Sequence, residues 1–441
     1  DALAAACRCC SAAATSADAA VASAGAASES GEAASTGVSE AGLPPSLRRL
    51  LWPRWLGAWR GASPRDWLEE ARRGRKRFSE LHRGASQREA DGDEGALQTR
   101  SAVDLDIDRC CLDGPQDTAE GESEESRQAR RELRDVLLAY AEGQRRRQAE
   151  LLEQHDQELV YYRQGMHELA AAMLSACRCG SFDGGGGSSG SDHGEDEAIY
   201  SELAQPTAVS ADTLVLLEAL LEGRHLRDMF GGGAVREALV HRCRRVLAAL
   251  RRLDPELAGR IESWGIEPHI LLLRWFRLLF LRELDFPSKD SLSAWDILFA
   301  DAFSAVSSAG PVATVDGRKE KVLGSAGVAP RASAALPLAD YLALAMIVKA
   351  QPSSPERLLR FAEKPIGVSE LFPLAFSFRE LPDLMHLESP QRADLHDMNG
   401  ARVLNGSPMA PFPQPPGAVG GAADAAIGTA EAQRRAFDAG G

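Results

Sequence analysis

Wherever this chain carries enough apolar residues to show a period, they recur at three- and four-residue spacing, and no run alternates as a strand does. Residues 47–59 place Leu47, Leu50, Leu51, Trp55 and Leu56 on one side, with Pro53 predicting a break or kink. Residues 127–150 repeat the pattern with Leu133, Val136, Leu137 and Tyr140, and residues 212–226 with Leu214, Leu217 and Leu221. Residues 235–253 carry Val235, Leu239, Val246 and Leu250 before Asp254-Pro255 stops them. Residues 268–284 are apolar on nearly every side, which predicts a helix at the centre of a bundle, opened by Pro268. Residues 290–301 and 338–349 complete the set, and the expected class is all-α.

Five stretches lack the apolar content to offset chain entropy: 1–40, 112–130, 178–197, 303–335 and 400–441. They read as disordered segments and insertions, so the 441 residues reduce from the two or three domains that length allows to one helical domain. The expected division is a disordered segment at 1–41, a folded domain at 42–373 with insertions near 112–130, 178–197 and 303–335, and a largely disordered tail at 374–441. Hydrophobic content of 44% is enough for a core. The net charge of −14 speaks against a nucleic-acid partner. Residues 1–40 lack the basic and apolar regions of a secretory signal, and no stretch approaches the length of a transmembrane helix. Asp1 in place of Met reads as a fragment of a longer product. The eight cysteines have no zinc spacing and predict free thiols in a reducing, cytoplasmic setting. Glycine runs occur without a following Lys-Ser/Thr, so no P-loop is expected.

Metalloprotease, hydrolase and kinase signatures are missing from the sequence. His167 and Glu168 are adjacent and cannot share a helix face for a metal. Two segments stand out. In Val103-x-x-Asp106-x-x-Arg109, spacing of three places the residues on one face, where Asp106 could hold the Arg109 guanidinium; an ordinary solvated ion pair has the same spacing. The second is Tyr161-Tyr162-Arg163-Gln164-Gly165-Met166-His167-Glu168. There a glutamine beside glycine could present an amide that both donates and accepts, and a solvated residue at a helix start would look the same. With 44 arginines against 6 lysines, no single arginine is distinguished by its type.

The two segments in this order resemble the two fingerprint motifs of the TBC domain, a family that activates Rab GTPases. Three further segments agree. Gly42-Leu-Pro44 with Arg48, Trp52 and Leu56-Gly57 resembles its opening helix, and Leu133 to Ala141 the helix before the glutamine motif. Arg274-Trp275 through Phe280, with Phe286, Leu292, Trp295-Asp296 and Leu298 to Asp301, resembles its C-terminal helices. The likeness covers about residues 42–373. Arg109 is followed by Cys110-Cys111-Leu112, where the family usually has Thr and then Pro or an aromatic.

The resemblance implies a two-lobed helical Rab-GAP fold and acceleration of GTP hydrolysis by a Rab. Arg109 would be an arginine finger and Gln164 a glutamine finger. Asp106 would support Arg109, while Tyr162 and Gly165 would shape the approach of Gln164. It also implies no cofactor of the chain's own, since GTP and Mg²⁺ travel with the GTP-bound Rab partner. The wording Gln164 to Leu169 resembles a branch of the family linked to endosomes, which implies a cytoplasmic protein peripheral on endomembranes, with retromer or other trafficking adaptors as further partners. A non-catalytic Rab-binding scaffold with the same fold is the alternative.

Overall fold

The computed structural model describes residues 43–110, 123–151, 161–178, 194–224, 226–230, 234–308, 336–359 and 366–385. Among these there are helices and turns and no strand. The helices are α1 (Pro45–Trp55), α2 (Pro64–Ala90), α3 (Glu94–Ile107), α4 (Glu124–Leu151), α5 (Met166–Arg178), α6 (Gly194–Leu203) and α7 (Val209–Glu218). They continue as α8 (Ala234–Leu253), α9 (Pro255–Ser263), α10 (Pro268–Arg277), α11 (Lys289–Ser308), α12 (Leu338–Ala350), α13 (Pro355–Leu359) and α14 (Val368–Glu380). Helices α1 to α7 pack mainly on one another, and α8 to α14 do the same, with α1 lying against both α5 and α11. The architecture is therefore two helical lobes bridged by the first helix.

Local chemistry accounts for the helix ends. Pro45 occupies the first turn of α1, where its missing N–H costs nothing. Pro53 lies in the last turn: the helix ends at Trp55, and the Pro53 carbonyl receives Ala58 and Trp59 N–H at 2.8 and 3.0 Å. Ser63 and Asp66 form a reciprocal capping box at the start of α2. Asp254 caps α9 by accepting from Leu257 N–H at 2.9 Å, so the break expected after residue 253 is also the next helix's beginning.

Two adjacent arginines on α1 reach into opposite lobes. Arg48 bonds Asp296 of α11 through Nε at 3.1 Å and Nη2 at 2.9 Å, and Trp52 Nε1 adds a bond of 2.8 Å to the same carboxylate. Arg49 bonds Asp212 of α7 at 2.7 and 2.9 Å, and Arg75 of α2 reaches the other oxygen at 3.0 Å. All except Arg75 are buried. Burial pushes the Asp296 carboxyl up, and Arg48 and Trp52 oppose that shift.

The fold departs from the periodicity reading at several points. The apolar run 268–284 is not one helix: α10 ends at Arg277, and Leu279 and Phe280 take φ of 46° and 64°. The chain turns inside the core, so successive residues from Leu278 to Leu281 are buried whichever way they point, and Trp295 Nε1 bonds the Leu279 carbonyl at 2.9 Å. Three stretches assigned to insertions are shorter than expected. Residues 124–130 open α4, 194–197 open α6, and 303–308 extend α11. Helix α14 crosses the expected boundary at 373, burying Leu371, Phe372, Ala375 and Phe378, and Leu384 is buried beyond it. Residues 64–90 form the long helix α2, which was not among the expected helices; Trp67, Leu68, Ala71, Leu81 and Ala85 anchor it along one face. The tracts 1–40 and 400–441 lie outside the described residues.

Candidate functional site

Helix α3 ends just before Arg109. Val103, Asp106 and Ile107 point inward and are buried, while the Arg109 side chain is exposed. Arg109 N–H bonds the Asp106 carbonyl at 3.2 Å and Cys110 N–H the Ile107 carbonyl at 2.9 Å, so the chain leaves the helix in a tightened last turn. Arg130 of α4 caps the Ile107 carbonyl at 2.8 Å, and Cys110 is buried. The arginine is thus displayed at the end of a helix tied down on both sides.

The glutamine segment is a turn running into α5. Met166 N–H bonds the Arg163 carbonyl at 3.1 Å and Glu168 N–H the Gly165 carbonyl at 3.2 Å. Gly165 has φ of +99°. A Cβ there would also lie 3.3 Å from Leu278 and 3.4 Å from Phe230. The left-handed conformation therefore favours glycine, and the space around it is tight. Arg163 and Gln164, which lead into this glycine, are exposed.

A buried polar cluster joins the two segments. The Tyr162 hydroxyl donates to Asp106 Oδ2 at 2.6 Å and lies 3.1 Å from His167 Nδ1. Gly165 N–H donates to the same Nδ1 at 3.3 Å, which puts the proton of the neutral imidazole on Nε2. Asp106 Oδ2 is 3.5 Å from Nδ1, and Nε2 is 3.9 Å from Glu168. Glu168 in turn takes two bonds of 2.7 Å from Arg282. Burial holds His167 below its ordinary value, against the pull of the Asp106 and Glu168 carboxylates. Burial raises Tyr162, and its bond to Asp106 raises it further, so the hydroxyl stays protonated.

The expectation that Asp106 holds the Arg109 guanidinium is corrected by this geometry. The helix has ended before Arg109, and the buried carboxylate is taken by Tyr162. Among the described residues, Arg109 has no side-chain ion pair. Asp106 instead fixes the end of α3 against the Tyr162 turn, which brings Asp106, Tyr162 and Gly165 into one cluster with Arg109 and Gln164 displayed at its edges. His167 and Glu168, considered in the sequence only as metal ligands, are structural members of it. Among the described residues no group of three or more His, Cys, Asp or Glu side chains is placed to hold a metal. Cys110, Cys177 and Cys243 are buried and form no disulfide among the described residues; the other cysteines lie outside the described residues.

The sequence matches the Rab-GTPase-TBC domain family over residues 45–309. The chain belongs to this family. It is 27% identical over 244 residues to mouse TBC1 domain family member 5 and 26% identical to the human protein, covering 48% of this chain and 27% of each relative. A shorter stretch of 51 residues is 53% identical to TBC1 domain family member 5 homolog B of Dictyostelium discoideum, covering 12% of this chain and 5% of that protein. The match thus spans about a quarter of the length of the mammalian relatives. Among solved structures, the Ypt/Rab-GAP domain of Gyp1p superposes with a TM-score of 0.51 at 15% identity, covering 77% of this chain and 90% of that one. That likeness concerns the fold, and it agrees with the two-lobed helical architecture. Among the described residues no helix is long and apolar enough to cross a membrane.

Proposed function

We propose that this Rab-GAP domain accelerates GTP hydrolysis by a Rab-family GTPase, with Arg109 and Gln164 supplied in trans. The observation that carries the reading is the Asp106–Tyr162 bond of 2.6 Å, which ties the turn behind Gln164 to the helix that ends at Arg109. Hydrolysis is slow in a small GTPase because charge developing on the phosphate oxygens and the attacking water are poorly managed. A guanidinium suits the phosphate oxygens, since it is always charged and its planar fork matches their geometry. An amide suits the water, accepting one bond from it while donating another. GTP and Mg²⁺ arrive with the Rab as substrate. The chain contributes prepaid order, because Gly165 and the buried cluster hold the glutamine turn before the partner docks.

The test is single-turnover hydrolysis across a panel of GTP-loaded Rabs, with wild type, Arg109→Ala and Gln164→Ala side by side. Arg109→Ala should lower the stimulated rate by roughly 10³–10⁵, the range of arginine fingers, and in no case by less than about tenfold. Undiminished stimulation by this variant removes the finger assignment. Tight binding of GTP-loaded Rab without acceleration by wild type would establish the scaffold reading instead. The same proposal has the protein peripheral on endosomal membranes, on the likeness to TBC1 domain family member 5. Co-localisation of the tagged chain with an endosomal marker tests the location, and binding of purified retromer tests an adaptor partner.

A further inference from the structure

Three arginines lie between Arg274 and Arg282, and two of them have a carboxylate. Arg274 pairs with the buried Glu283 at 2.7 Å, and Arg282 with Glu168 at 2.7 Å. Arg277, between them, has none among the described residues. Its Nε and Nη2 both donate to the Met229 carbonyl at 3.2 Å, and its guanidinium lies 5.0 Å from the centre of the Phe230 ring. Its Cδ would be 3.8 Å from a Cβ at Gly165, so it sits directly beneath the glutamine turn. In the same turn, the exposed Arg163 has no ion pair among the described residues either.

These two cations oppose each other. Burial and, after it, the Arg163 charge hold Arg277 below its ordinary value. Half-burying a guanidinium beside a like charge without a counter-ion is unfavourable in the free protein. In a chain of net charge −14, acidic residues are plentiful, yet among the described residues none pairs with Arg277 or Arg163. An anion arriving from outside would relieve the repulsion and use the donors that remain.

We propose that Arg163 and Arg277 form a receptor for a negatively charged group of the docked GTPase, positioned beside Gln164. This rests on the Rab-GAP reading and deepens it. The expected group is a carboxylate side chain on the GTPase surface; a phosphate of the bound nucleotide has the same chemistry. The pair would set which GTPases dock and how, because a charge at an interface acts mainly on encounter and register.

The experiment uses the full chain and the Rab that wild type stimulates most. For Arg163→Glu and Arg277→Gln, KM should rise about fivefold or more while kcat stays within about twofold, and the salt dependence of kcat/KM should become shallower. Arg277→Lys keeps the charge and should recover most of the loss. Affinity for the Rab loaded with GDP, with and without aluminium fluoride, separates the sources: a carboxylate contact is lost in both states, a contact at the γ-phosphate position only with the fluoride. Unchanged KM and salt dependence in both charge variants overturn the proposal. So does a loss in Arg277→Gln that lysine does not rescue while Arg163→Glu is unaffected, because that pattern is packing alone. Arg163 is exposed, so its variant should melt as wild type does. If no Rab responds to wild type, the GAP reading itself fails. Direct binding of the same variants to GTP-loaded Rab then still decides the anion receptor.

Discussion

Arg48 and Arg49 on α1 and the arginines around the glutamine turn are the same residue type in opposite circumstances. The first two are buried, and each spends its donors on a carboxylate from a different lobe, Asp296 and Asp212. Arg109 and Arg163 are exposed and have no ion pair among the described residues. Saturated guanidiniums hold the fold, and unsaturated ones are available to a partner. In a chain with 44 arginines, the partner distinguishes them and the residue type does not.

The comparison breaks most directly if the two sets exchange phenotypes. Arg109→Ala should cost roughly 4–7 kcal/mol of transition-state stabilisation in single-turnover hydrolysis and leave the melting temperature unchanged. Arg48→Met should do the reverse. It strands the buried Asp296 and should destabilise by about 3–5 kcal/mol, read as a lowered urea midpoint. Replacing both partners, Arg48→Met with Asp296→Leu, should recover much of that loss.

Smaller effects sharpen the boundary between the two regions, because the buried cluster belongs to both. Tyr162→Phe removes the donor from a buried carboxylate and should cost about 1.5–3 kcal/mol, with a fall in kcat larger than any change in KM. Gly165→Ala should cost about 1–3 kcal/mol from backbone strain. It should also lower kcat by displacing the neighbouring Gln164.

The smallest effect is a pH dependence. His167 lies below its ordinary value of 6.5 in the fold, so the unfolded chain takes up the proton first on acidification. Its contribution is complete above about pH 6.5 and is lost as the pH falls toward the lowered folded value. The groups facing it are Asp106, Tyr162, Glu168 and, through Glu168, Arg282. In urea titrations between pH 7 and 5, His167→Gln should lose less stability than wild type.

Much of the molecule was legible without coordinates. Apolar spacing fixed the class and located α1, α4, α8 and α11, because each buries a stripe whose period survives in the sequence; α12 was located as an apolar run and is buried on nearly every side. The ordered motifs carried the family. Helix α2 was missed, although Trp67, Leu68, Ala71, Leu81 and Ala85 fall on one helical face, because charged residues outnumber them along its 27 residues. The break after Arg277 was not legible either, since a turn buried on all sides leaves the same apolar record as a buried helix.

Residue identity by itself determined that Arg109 and Gln164 stand in the fingerprint segments and that position 165 is a glycine. What Asp106 does was decided only by tertiary structure. Spacing of three offered it Arg109, but the helix ends between them, and folding delivers Tyr162 from 56 residues away at 2.6 Å. A local period records which side of a helix faces the core. It cannot record which distant donor will meet a carboxylate there, because that depends on how the helices pack.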